Sequence, residues 1–181
     1  MTSVRPFLSL RYFVEQHYGT GAFGRIRREL AERHGLQLDL VLNPRGWYPT
    51  EAFLRGLDIG KELFGPEDFC ERFGEAAADY EIHLFSRIFL RFASPAWMVE
   101  HSNDLWSRSH DSGRWTCDRE RPTHIKGTLH DFAMPHEGHC RSLVGWFRRA
   151  CAMTGVRDVT IEHPFCRARG LSACVFDGRW R

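Results

Sequence analysis

Three cysteines and one histidine near the C-terminal end constrain the fold of this chain most. Cys166 follows His163 after two intervening residues, Cys174 follows after seven more, and Cys140 lies earlier in the chain. Four soft or borderline ligands in two short groups suit a closed tetrahedral metal site. The spacing therefore predicts a structural zinc ion held by Cys140, His163, Cys166 and Cys174, and a binding domain more than an enzyme. Ordinary buried thiols and a Cys166–Cys174 disulfide are the alternatives that the spacing leaves open.

Composition sets the broad class. A chain of 181 residues, 43% of them apolar and 13% aromatic, can bury a single sizeable core. The 25 basic and 23 acidic residues nearly cancel, so the charge predicts no nucleic-acid and no membrane partner. No secretory signal and no apolar run of about 18 residues is visible, so we expect a cytoplasmic protein with reduced thiols.

The hydrophobic period changes along the chain. Apolar residues recur at helical spacing over the first two thirds, including a helix at Thr50–Phe64 and a central helix of about 26 residues that begins near residue 66. Alternation with a period of two follows at 114–120, 124–133, 156–163 and 171–180, with a helix inserted at 140–154. The pattern predicts an α+β fold with an N-terminal helical layer packed on a mainly antiparallel sheet of about four strands.

Strand phase gives the predicted metal site a geometric basis. His163 shares a strand face with Ile161, and Cys174 shares a face with Phe176. If the two strands are neighbours, the imidazole and the thiol can approach from one side of the sheet. Cys166 lies in the loop between them.

The ending VTIEHPFCRARGLSACVFDGRW resembles the C-terminal signature of 4-vinyl reductase-type domains. Their superfamily includes TRAPP vesicle-tethering subunits and haem nitric-oxide-binding domains. The ending is also similar to zinc-containing sensory domains of aromatic-responsive bacterial transcription activators. Cys140, Cys166 and Cys174 match the three cysteine positions of those sensors, and His163 replaces their acidic ligand. The resemblance implies one domain, 1–181, with an N-terminal helical segment at 1–45 and a 4-vinyl reductase-like core at 47–181.

The resemblance also implies an apolar pocket between the helices and the sheet. Trp115 is the best candidate for a ligand-facing side chain, and His83 or His101 would anchor a polar group of the ligand. Ordinary core packing is the alternative for each candidate. The full candidate set is His83, Phe85, Phe89, His101, Trp106, Trp115 and Phe132.

The leading functional prediction is a non-enzymatic sensor or regulatory domain in bacterial signalling that binds a hydrophobic or aromatic molecule. A TRAPP-type protein–protein adaptor without a ligand, and an accessory enzyme of tetrapyrrole metabolism, are the alternatives. No nucleophile elbow, phosphate-binding loop or dinucleotide motif supports catalysis. Related folds pair through their helices, so we also predict a homodimer, and a signalling protein is a further possible partner.

Overall fold

The structure, a computed structural model, describes residues 1–65, 67–84 and 95–181. Seven helices are described: α1 (Val4–Tyr18), α2 (Ala22–His34), α3 (Thr50–Phe64), α4 (Phe69–Leu84), α5 (Pro95–Glu100), α6 (Ser102–Ser107) and α7 (Glu137–Met153). The strands in these ranges are β1 (Thr2–Ser3), β2 (Trp47–Tyr48), β3 (Arg114–Arg121), β4 (His124–His130), β5 (Thr160–Phe165) and β6 (Cys174–Arg179). The predicted α+β class is confirmed.

The main sheet has four antiparallel strands in the order β3-β4-β6-β5. Helix α7 lies between β4 and β5 in sequence, so the chain leaves the sheet after β4 and returns at the far edge. Strand β6 then pairs with β4 and β5, which places Cys174 opposite Leu129. Strand β6, which begins at Cys174, is therefore an interior strand of the sheet although it lies near the end of the chain.

The predicted helix boundaries hold best where sequence signals are local. Helix α3 covers the predicted range, and Gly65 ends it with a φ of 92°, a conformation that glycine adopts at little cost. Of the predicted long central helix, residues 67–84 are described, and the helix begins at Phe69 after a turn at 67–68. The helix predicted around Trp97 and His101 is two short helices, because the chain breaks at His101 between α5 and α6. The segment from Leu36 to Leu42 connects α2 to β2 without regular secondary structure.

Two hydrophobic clusters fill the interior. The helical core is built by α1–α4, and its fully buried members include Phe7, Phe13, Ile26, Leu57 and Phe69. The sheet-side core lies between α6, α7 and the main sheet, and its buried members are Trp106, Trp115, Leu129, Phe132, Cys140, Val144, Cys166, Cys174 and Phe176. Phe7 and Phe13, near the N-terminal end, are therefore interior residues. The homodimer stays a prediction.

Helices α4 and α7 join the two cores through a close backbone contact. A Cβ atom added at Gly74 would lie 1.9 Å from the Ser142 carbonyl oxygen, and one added at Gly145 would lie 2.0 Å from the Glu71 carbonyl oxygen. Real Cβ atoms do not approach backbone so closely, so glycine is required at these two positions for the observed packing. Within the described ranges, no helix combines the length and the apolar character needed to cross a membrane.

Candidate functional site

A largely apolar cavity of about 170 Å³ lies where the helical core meets the sheet-side core. Phe73, Ala77 and Glu81, spaced four residues apart on α4, form one wall, and residues of α5–α7 and the sheet form the others. An engineered cavity of about 150 Å³ in another protein binds benzene, so the space is of single-ring size. The aromatic side chains of the lining are Phe53, Phe73, Trp106, Trp115, Trp146, Phe147, Phe176 and Trp180.

The predicted ligand-binding residues have different placements. Trp106 and Trp115 are buried and line the cavity. Phe132 is buried behind it and packs on Trp106 at 5.2 Å between ring centroids, so it serves the core. The ring of His101 stacks on Trp97 at 4.2 Å between centroids and does not line the cavity.

The remaining three predicted ligand-binding side chains lie outside the part of the chain that the structure describes. They are those of His83, Phe85 and Phe89.

The orientation of His101 has a local cause. Its Nδ1 lies 2.9 Å from the Trp97 carbonyl oxygen, and this contact holds the ring along its own helix.

Two buried histidines that sequence reasoning missed line the cavity. The ring centroids of His110 and His139 lie 5.2 Å apart, and Trp106 contacts both rings. Burial lowers the pKa of His110 to about 3 and lowers the pKa of His139 well below its ordinary value. Both imidazoles are therefore neutral at physiological pH. No periodic signal marks His110, which follows a short helix.

The hydrogen bonds of His110 define its tautomer. Thr2 donates its hydroxyl proton to Thr50 Oγ1 at 3.0 Å, so Thr2 Oγ1 can only accept from His110 Nδ1, 3.2 Å away. The neutral ring of His110 then carries its proton on Nδ1 and its lone pair on Nε2. This cavity histidine thus presents an acceptor and not a donor.

Glu81 is the third polar group that sequence reasoning missed. Its spacing of four and eight residues from Ala77 and Phe73 is a signal that could have placed it on the cavity wall. Oε1 accepts from Ser9 Oγ at 3.0 Å, and Oε2 accepts from Trp146 Nε1 at 3.2 Å. Burial raises the pKa of the Glu81 carboxyl, while these hydrogen bonds and the charge of Arg5 oppose that shift.

The four residues of the predicted metal site lie together, and three of them belong to the sheet-side core. The donor atoms of Cys140, His163, Cys166 and Cys174 all lie within 4.8 Å of one another. Strand β5 supplies His163, β6 begins at Cys174, α7 carries Cys140 in its first turn, and Cys166 lies in the connecting loop. We call this group the thiol cluster.

Hydrogen bonds within the thiol cluster show which thiols donate and which sulfur atoms accept. Cys166 donates to Cys140 Sγ at 3.8 Å, and Cys140 donates to Cys174 Sγ at 3.6 Å. The hydrogen bond from Cys140, supported by one from the Arg167 backbone N–H, lowers the pKa of Cys174. The same Cys140–Cys174 hydrogen bond, together with burial, raises the pKa of the donor Cys140. His163 donates from Nδ1 to the Val175 carbonyl oxygen at 2.8 Å, which leaves its buried Nε2 without a hydrogen-bond partner in the structure.

Comparison with known proteins identifies the fold. No protein-family model and no curated protein sequence matches the chain. The structure is similar to an H-NOX (haem nitric-oxide-binding) protein from S. oneidensis in the Fe(II)NO ligation state, with 16% identity, a TM-score of 0.73 and 98% of each chain covered.

Two further solved structures agree with this result. An H-NOX domain from Shewanella oneidensis in the Fe(II)CO ligation state gives 14% identity and a TM-score of 0.74, with 100% of this chain and 99% of that chain covered. Fe(II) unliganded H-NOX from K. algicida gives 11% identity and a TM-score of 0.70, with coverages of 100% and 97%. The chain therefore has the H-NOX fold, and the predicted likeness to haem nitric-oxide-binding domains is confirmed at the level of the fold. The likeness to 4-vinyl reductase-type domains and TRAPP subunits stays a prediction.

The prediction of a structural zinc ion as the cofactor is wrong on this comparison. The proteins that share the fold are H-NOX proteins described in Fe(II) ligation states, so iron in haem is the metal associated with it. Cysteine and histidine spacing misled the prediction because closely spaced thiols suit several roles, of which metal binding is only one. The thiol cluster thus has no assigned metal.

Haem itself does not fit the described lining. Haem needs an axial ligand for its iron and partners for two anionic propionates. His101 is held against Trp97, but His110 and His139 line the cavity and offer imidazole nitrogens to an iron. The misfit lies with the propionates: within the ranges 1–65, 67–84 and 95–181 the lining contains Glu81 but no arginine or lysine. A cavity of about 170 Å³ is also closer to the size of one aromatic ring than of a macrocycle. The fold is shared with H-NOX proteins, but the described cavity residues differ from what haem requires.

Proposed function

We propose that this chain is a sensory or regulatory domain that binds one compact, largely apolar small molecule in the cavity between the two cores. The observation that carries the proposal is the cavity itself, which has apolar walls, a volume of about 170 Å³ and a few converging polar groups. Ligand sites are typically built in this way, with polar groups that fix orientation. His110, His139 and Glu81 are the polar groups of this site.

The role is one of binding and not of catalysis. His110 and His139 are neutral and enclosed by aromatic rings, and Glu81 is engaged by Ser9 and Trp146. None of the four residues of the thiol cluster lines the cavity, and the cluster ties α7, β5 and β6 together. A ligand in the cavity would contact α4 and the sheet at the same time. Its binding would therefore affect the packing where the two cores meet.

A fluorescence titration tests the proposal, because Trp106, Trp115 and Trp146 line the cavity. Adding phenol should change the tryptophan emission with a saturable, one-to-one dependence. Trp115→Ala should weaken the response, whereas Trp47→Ala is the matched control, since Trp47 lies on β2 and is 44% exposed. Absence of a saturable response to phenol and related single-ring compounds would favour the adaptor alternative.

Haem reconstitution tests whether the protein binds haem instead of a compact apolar molecule. Incubating the purified protein with haemin and removing the excess should leave no stoichiometric haem absorption. One tightly bound haem per chain would contradict the proposed ligand class and favour a gas sensor, as expected from the H-NOX proteins that share the fold.

A further inference from the structure

The polar groups of the cavity favour one class of ligand within the proposed function. Glu81 lies on the cavity wall of α4 and is supplied with donors by two uncharged groups, Ser9 and Trp146. The Ser9 hydroxyl has a single proton, and its oxygen also lies 3.1 Å from the Arg5 carbonyl oxygen. Ser9 must therefore divide one donor between two acceptors, which leaves Oε1 of Glu81 with capacity to accept another hydrogen bond.

Two indole donors of the lining are already engaged. Trp106 Nε1 donates to the Ser112 carbonyl oxygen at 2.7 Å, and Trp146 Nε1 donates to Glu81. The neutral His110 ring, with its proton on Nδ1 toward Thr2, offers a lone pair at Nε2. Glu81 and His110 are thus both acceptors, so a ligand that supplies donors complements them.

The charge of the lining also favours a ligand that supplies hydrogen-bond donors. Within the ranges that the structure describes, the lining side chains include one carboxyl group and no arginine or lysine. The rings of Trp106, Trp115 and Phe176 line the space, and the faces of aromatic rings attract cations through their quadrupoles. An anionic ligand would meet the Glu81 carboxyl group and no arginine or lysine among the described residues of the lining.

We propose that the ligand is an apolar or aromatic molecule with a protonated amine, and that Glu81 binds the ammonium group. This inference rests on the proposed ligand-binding function of the cavity. The ammonium group would donate to Oε1 of Glu81, and the aromatic body would lie against the tryptophan-rich wall. A cation beside the Glu81 carboxyl group also offsets the free-energy cost of burying that group. The raised pKa of Glu81 reflects this cost. Glu81 thus determines specificity, and the apolar walls supply the remaining contact area.

The experiment compares three probes that share one ring: 2-phenylethylamine, 2-phenylethanol and phenylacetate. Calorimetric titration of the full chain near neutral pH should show the amine binding at least about tenfold more tightly than the alcohol, the gain expected from a hydrogen bond to a charged group. Phenylacetate should bind most weakly. Glu81→Gln should bring the amine to within about threefold of the alcohol and leave the alcohol nearly unchanged.

The matched control is Glu75→Gln, the same substitution on the same helix. Glu75 pairs with Arg148 at 3.1 Å and does not line the cavity, so this variant should keep the wild-type order of the probes. If Glu81→Gln does not fold, the order of the three probes on the wild-type protein decides the question.

Two results would overturn the inference in distinguishable ways. Equal binding of the amine and the alcohol by the wild-type chain would exclude the role of Glu81 and leave the proposed apolar ligand site intact. Failure of all three probes to bind would remove the ligand site itself, and the inference with it.

Discussion

The helical core and the sheet-side core are built from different materials. Fully buried residues of the helical core, such as Phe13, Ile26 and Leu57, are hydrocarbons in close contact. The sheet-side core combines indoles and thiols, with imidazoles beside it, and has a cavity on its border. Closely packed hydrocarbon supplies stability, whereas polar groups around a space supply recognition. The difference suggests that the helical core supports a binding site made largely by the other region.

The largest expected effect concerns the contact that joins the two cores. Gly74→Ala places a methyl group on the Ser142 carbonyl oxygen, so α4 and α7 must separate. We expect a loss of more than about 4 kcal/mol in the free energy of unfolding, or failure to fold. Chemical denaturation of the purified variant measures this effect.

Gly24→Ala is the matched control, since a Cβ at Gly24 in α2 meets no atom within 4 Å. It should stabilise the protein by about 0.5–1 kcal/mol, because alanine is the better helix former. Equal effects of the two substitutions would show that the α4–α7 contact is looser than described.

The next prediction compares the same truncation in both regions. Leu57 is fully buried in the helical core, and Leu57→Ala should cost about 3 kcal/mol. Leu105 lines the existing cavity, so part of its side chain has no packing partner, and Leu105→Ala should cost about 1 kcal/mol. Urea denaturation of both variants checks the difference. A larger loss at Leu105 would mean that the cavity wall is packed as tightly as the helical core.

Sequence reasoning succeeded where the signal is local. Thr50 and Gly65 mark the limits of α3, and strand phase predicted that His163 and Cys174 would approach from one side of the sheet if their strands were neighbours. The structure pairs these two strands and brings the two side chains together. These features depend on a few adjacent residues and on strand phase, which a single sequence contains.

The polar groups of the cavity were harder to predict. His110 and His139 are brought together by the path of the chain between α6 and α7, over a separation that no periodicity spans. Glu81 was detectable from its spacing to Phe73 and Ala77, but a carboxylate at the edge of an apolar stripe is more often solvated. The break at His101 depends on packing around α5 and α6, which overrides the helical pattern.

A smaller effect is expected from acid. The pKa of His110 falls from an ordinary value of 6.5 to about 3 in the folded protein, so the unfolded chain binds more protons between these values. Stability from this group is therefore fully present above about pH 6.5 and decreases as the pH falls toward 3, by about 1.4 kcal/mol per pH unit. His139 shifts in the same direction, while the raised pKa of Glu81 acts in the opposite direction at acidic pH.

Comparing the wild-type protein with His110→Asn isolates this contribution. Asparagine can donate toward Thr2 but does not titrate, so the variant should lose less stability than the wild type between pH 6.5 and pH 5. Measurements at pH 8 give the packing cost of the substitution alone. Identical pH profiles would contradict a buried, neutral His110.

The smallest effect concerns the ion pairs across the α4–α7 contact. Arg148 lies 3.0 Å from Glu71 and 3.1 Å from Glu75, at partly exposed positions. Arg148→Met should cost about 0.5–1 kcal/mol at low ionic strength and less in high salt, because exposed ion pairs are screened. Denaturation at two salt concentrations measures both values, and a salt-independent loss would assign the effect to packing instead.

The central claim is that a single-ring molecule occupies the space between the two cores. The most direct test records the indole N–H signals of the six tryptophans by heteronuclear NMR while phenol is added. The account predicts saturable shifts for Trp106, Trp115 and Trp146, which line the cavity, and none for the exposed Trp47. Unchanged signals at Trp106, Trp115 and Trp146, or shifts confined to Trp47, would contradict it.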